Sequence, residues 1–90
     1  MGEAIETRRK RLFFRSWHRG MREADLLLGS FAERHLAELT PAQLDRYEAL
    51  LGESDADLLD WLSGRRVAPP EHDGDLLRLI KSTGFRPRPA

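Results

Sequence analysis

Fifteen leucines stand against six β-branched residues (one Val, two Ile, three Thr) in a chain of 90. That imbalance constrains the fold more than any other feature. β-Branched side chains suit strands and lose rotamer freedom in helices, whereas Leu, Ala, Arg and Glu favour helix. A chain so short of strand formers has little from which to build a sheet. Its apolar residues also fall at three- and four-residue intervals in short sets, separated by Gly and Pro. The pattern predicts several short helices in an all-α, compact five-helix bundle. At 10.4 kDa there is room for one domain.

Individual helices follow from local signals. Leu12, Phe13 and Trp17 lie at one-turn spacings among Arg8, Arg9, Arg11 and Arg15, predicting an amphipathic helix from Thr7 to about His18 that ends at Gly20. A second helix is expected over 23–38, with Leu27, Leu28, Phe31, Ala32, His35 and Leu39 as its apolar stripe. Thr40-Pro41-Ala42-Gln43 reads as a capping box with Pro at the first helical position. Leu44, Tyr47, Leu50 and Leu51 then form the buried side of a third helix, stopped by Gly52. Ser54 to Asp57 opens a short fourth helix bearing Leu58, Leu59, Trp61 and Leu62. Residues 65–72, with Pro69 and Pro70, read as a loop. A last helix starts at Asp73 or Asp75, carries Leu76, Leu77, Leu79 and Ile80, and ends at Gly84. The domain is therefore expected over 11–84, with a flexible N-terminus at 1–10 and a flexible tail at 85–90.

Composition then excludes several classes of function. Cysteine is absent, which removes disulfides, thiol catalysis and cysteine-ligated zinc. No apolar run exceeds three residues, against about 20 for a membrane-spanning helix. The net charge is zero but unevenly spread: +4 over 1–20, −7 over 21–63 and +3 over 64–90. Separated patches of both signs suit docking on a protein, whereas a nucleic-acid binder concentrates positive charge on one face. Glu3 and Glu6 in the basic N-terminal stretch count against a signal peptide or a presequence, so a bacterial cytoplasmic protein is expected.

Little in the chain suggests catalysis. None of His18, His35 and His72 sits at a spacing that would pair two metal ligands on a helix face. His35, on the apolar stripe, reads as a structural histidine, and His72 as a solvated loop residue. Asp55, Asp57 and Asp60 are placed to compensate the dipole of a helix N-terminus. Gly-rich phosphate loops and the Gly-x-Ser-x-Gly elbow do not occur. The chain is expected to be neither an enzyme nor a metal binder, and to hold no cofactor tightly.

The informative segment is Trp17-His18-Arg19-Gly20-Met21-Arg22-Glu23-Ala24-Asp25. One reading is a surface ion pair between Arg19 and Glu23 around a helix break. The other is a docking site: glycine admits a partner's backbone, and Trp, Met and Arg are enriched at interface centres.

Arg19-Gly20-Met21-Arg22-Glu23 resembles the Arg-Gly-x-x-Glu signature of the SdhE-like succinate dehydrogenase assembly factors. Asp55-Ala56-Asp57-Leu58-Leu59-Asp60-Trp61-Leu62 is similar to that family's Asp-x-Asp-Leu-x-x-Trp-Leu segment, and the likeness extends over 11–82. The resemblance implies a five-helix protein, a monomer when free, that binds the flavoprotein subunit of succinate dehydrogenase, and in some bacteria that of fumarate reductase. It further implies that the protein promotes covalent attachment of FAD to that subunit, the FAD belonging to the partner. Arg19, Gly20 and Glu23 are then the docking residues, with Met21, Arg22 and Asp25 beside them. An antitoxin-like helical regulator acting by protein binding alone is the alternative.

Overall fold

The computed structural model of the protein describes residues 2–83. Within these residues lie five α-helices: α1 (Ile5–Trp17), α2 (Arg22–His35), α3 (Pro41–Leu51), α4 (Asp55–Leu62) and α5 (Asp75–Thr83). A single 3-10 turn, Leu36–Glu38, follows α2. Each helix places at least one apolar side chain out of reach of solvent: Leu12, Phe31, Leu44, Leu58 and Ile80 all have 0% exposure. Burying such a side chain contributes about 1.5–3 kcal/mol, and only the packed bundle realises it. Helices of 8 to 14 residues are marginal alone in water.

The caps follow the local chemistry. Thr40 Oγ1 accepts from the Gln43 N–H (3.2 Å), while the Thr40 N–H donates to Gln43 Oε1 (2.8 Å), completing the box that starts α3. Ser54 caps α4 by accepting from the Asp57 N–H. α1 and α2 meet through a close approach at Gly29. A Cβ there would lie 2.2 Å from the Trp17 ring, so only glycine lets that indole lie flat on α2.

One polar pair sits inside the core. The Ser16 hydroxyl donates to the Leu12 carbonyl (2.8 Å), leaving its oxygen to accept from the Tyr47 hydroxyl at 2.6 Å. The Leu28 carbonyl lies 3.3 Å from the same phenol. Three helices thus share one satisfied buried network, which fixes their relative positions.

Several expectations shift. α1 begins at Ile5, so residues 5–10, assigned from sequence to the N-terminal arm, form its first turns. Phe13, expected on the apolar face, is 39% exposed and Phe14 61% exposed. The inward positions belong to Leu12 and Ser16, one turn apart. α1 is turned this way by its arginines: Arg8 and Arg11 both engage Glu48 on α3, at 3.0 and 2.9 Å. His72 is not solvated. Its side chain is 6% exposed, lies 5.5 Å from the Trp61 ring and pairs with Glu53 at 2.7 Å. Trp61 is core, as is most of the apolar set of α3 and α5. The expected stop at Gly84 and the tail at 85–90 lie outside the described residues.

Candidate functional site

The turn between α1 and α2 is built by three residues. Gly20 has φ +98°, a left-handed conformation that costs other L-residues roughly 1–3 kcal/mol. Asp25, in the first turn of α2, reaches back so that its Oδ1 accepts from the Arg19 N–H at 2.6 Å. Arg19 then turns its guanidinium inward rather than toward Glu23. Its Nε donates to Asp55 Oδ1 (2.9 Å), one terminal nitrogen to the Leu51 carbonyl and the other to the Glu53 carbonyl (2.6 Å). The side chain is only 11% exposed. It closes the carbonyl end of α3 and joins it to the start of α4, where the Asp55 carboxylate also suits the helix dipole.

The six candidate residues therefore divide. Arg19 and Asp25 hold the turn from within. Gly20, Met21, Arg22 and Glu23 are exposed on its outer side. A Cβ at Gly20 would meet nothing within 4 Å, so the chain leaves open space above that backbone. Glu23 makes no hydrogen bond or ion pair among the described residues, and the Arg19–Glu23 surface pair does not form. The result is a rigid, glycine-centred knuckle carrying a free carboxylate, a free guanidinium and an apolar thioether.

Beside the turn lies a feature that the spacing of α1 had not suggested. Phe13, Phe14, Trp17 and His18 form one wall of an open groove of about 590 Å³, facing Ala32, Leu36 and Ala37. His18 stacks on Phe14 with ring centroids 3.9 Å apart, and its Nδ1–H donates to the Phe14 carbonyl at 2.7 Å. Among the described residues no group of acids and histidines is arranged to hold a metal ion, and no helix is long and apolar enough to cross a membrane.

Comparison with known proteins gives this arrangement a context. The profile of the family described as flavinator of succinate dehydrogenase matches residues 10–83, most of the chain. The chain belongs to that family. A relative in Dictyostelium discoideum, named succinate dehydrogenase assembly factor 2, mitochondrial, is 42% identical over 77 residues. The match covers 86% of this chain and 55% of the relative. A Drosophila persimilis protein, named succinate dehydrogenase assembly factor 2-B, mitochondrial, is 37% identical over 81 residues, covering 88% of this chain and 52% of that protein. The chain thus spans about half the length of the curated relatives it matches. Their names are those of assembly factors, in line with an accessory protein rather than a catalyst. They also overturn one expectation: these relatives are named as mitochondrial, so the assignment to the bacterial cytoplasm falls. It had rested on acidic residues near the N-terminus, which report the local sequence and not the compartment.

Proposed function

We propose that this flavinator-family chain docks on the flavoprotein subunit of succinate dehydrogenase and promotes covalent attachment of FAD to it. The observation that carries the reading is that relatives matching more than four-fifths of the chain are named succinate dehydrogenase assembly factors. The geometry of the turn supplies a physical route. Gly20, Met21, Arg22 and Glu23 form the contact surface, and Arg19 and Asp25 hold it in a single shape. A preformed surface avoids part of the ordering cost of association. The chain acts by binding one arrangement of the flavoprotein better than another, which shifts the population toward the state competent for flavin attachment. In this reading FAD stays with the partner, the free chain is a monomer, and a fumarate reductase flavoprotein is a second client where one exists.

The test is covalent flavin fluorescence of the succinate dehydrogenase flavoprotein after denaturing electrophoresis, normalised to flavoprotein abundance. The expected result is loss of fluorescence per flavoprotein when the gene is deleted and recovery when it is restored. Unchanged fluorescence in the deletion strain would contradict the proposal.

A further inference from the structure

The groove beside the turn is lined by two cations, Arg9 and Lys10, against one acid, Glu33, and so carries an excess of positive charge. α1 carries five cationic side chains, and they split by direction. Arg8, Arg11 and Arg15 face α3, where Glu48 or Asp45 lies within 4 Å of each, and Arg11 also pairs with Glu3 just before α1. Arg9 and Lys10 face the groove instead. Neither forms an ion pair among the described residues, although Glu33 lines the same groove. Arg9 reaches only the Leu39 carbonyl (2.9 Å), and its buried Nε has no acceptor. Below these cations Phe13 and Phe14 are 39% and 61% exposed, a large aromatic surface to leave in water.

We infer that this groove is a second docking surface, and that its occupant is an amphipathic helix of the flavoprotein with a carboxylate at the end that meets Lys10 and Arg9. Charge complementarity argues for the acid, because the other α1 cations are paired with acids of the chain, whereas these two pair with none and outnumber the single groove acid, Glu33. The open shape argues for a helix. A small ligand is normally enclosed over about 70–90% of its surface, and walls as exposed as Phe13 and Phe14 cannot enclose one. A helix laid along the groove covers both rings with side chains one turn apart. Trp17 and His18 end the groove directly before Arg19 and Gly20, so one partner spans both surfaces. This inference rests on the docking reading given above, and it adds where a second segment of that partner sits and what chemistry it carries.

The test is the affinity of the purified succinate dehydrogenase flavoprotein subunit for the wild-type chain, Phe14→Ser and Lys10→Glu, measured by calorimetry at low and high salt. Both positions are exposed, so circular dichroism and melting should match wild type. Phe14→Ser should raise Kd about tenfold or more, as loss of an aromatic anchor does. Lys10→Glu should weaken binding most at low salt, where rim charges act furthest. If wild type binds and both variants bind equally well, the groove inference is overturned while docking at the turn stands. If wild type does not bind, both fall. Should the variants instead lose only the binding of oleate, with flavoprotein affinity unchanged, the groove holds an acyl chain and the helix is refuted.

Discussion

Truncating Arg19 to alanine should destabilise the bundle itself rather than merely weaken a contact with a partner. The side chain is 11% exposed and donates to Asp55, the Leu51 carbonyl and the Glu53 carbonyl. Hydrogen bonds from a charged donor contribute about 1.5–3 kcal/mol each when formed. Asp55 is 21% exposed, so water replaces part of what is lost at that end. The Glu53 carbonyl, in the turn after α3, loses its Arg19 donor at about 1–3 kcal/mol, reduced where water enters, and the Leu51 carbonyl keeps only a long bond from Arg15 (3.4 Å). A loss of about 3 kcal/mol is the reasoned sum, at the low end of what breaking a buried pair costs. In a domain this small that is a fall in Tm of roughly 12–24 °C. Urea melts followed by circular dichroism would measure it, with Arg19→Lys as a partial rescue because one charge and fewer bonds remain. A loss below about 0.5 kcal/mol, the range of ordinary surface changes, would refute the reasoning and free Arg19 to face a partner.

Other perturbations test other parts of the bundle. Gly29→Ala should destabilise, since the overpacking cost of about 1–3 kcal/mol against the Trp17 ring exceeds a helix-propensity gain of about 1 kcal/mol; in a Trp17→Leu background the same change should stabilise, and urea midpoints would show an unchanged sign if the contact were absent. Tyr47 is the only tyrosine, and burial pushes its hydroxyl up from 10.0 to about 12 despite the Ser16 hydrogen bond. The unfolded chain therefore ionises first, stability present below pH 10 declines toward pH 12, and phenolate absorbance should rise only with unfolding; phenolate appearing near pH 10 in a folded chain would contradict this. The Arg11 hydrogen bond, with Arg8 behind it, holds Glu48 below its usual 4.5. Its contribution is thus full above about pH 4.5 and is lost as pH falls through the lower folded value, so Glu48→Gln should flatten the acid limb of a stability–pH curve, and an unaltered limb would disprove the assignment.

What was legible in the sequence was what is local. The Thr40 capping box, the helix start at Ser54 and the helical spacing of Leu44, Tyr47, Leu50 and Leu51 are set by residues within a turn or two of one another. Gly20 was legible as a break, and its positive φ is the physical content of that reading. Arg19 was not, because its three acceptors lie 32 to 36 positions away and no short-range pattern encodes a fold-back of that kind. The rotation of α1 failed for a similar reason: Arg8, Arg11 and Arg15 look like a solvated face until Glu48 is brought opposite them. His72 reads as a loop residue by its neighbours, yet the loop folds it against Trp61 and Glu53.

The division of the turn into an inner support and an outer contact surface is tested most directly at Glu23. It is exposed, has no partner among the described residues, and lies at the second position of α2, where a carboxylate adds only about 0.3–1 kcal/mol through the helix dipole. The decisive measurement is the Kd of the purified succinate dehydrogenase flavoprotein for Glu23→Ala beside wild type, with melts of both. Near-wild-type melting and a Kd raised about tenfold or more are predicted, as for an interface hot spot. A variant that melts like wild type and binds like wild type would contradict the account.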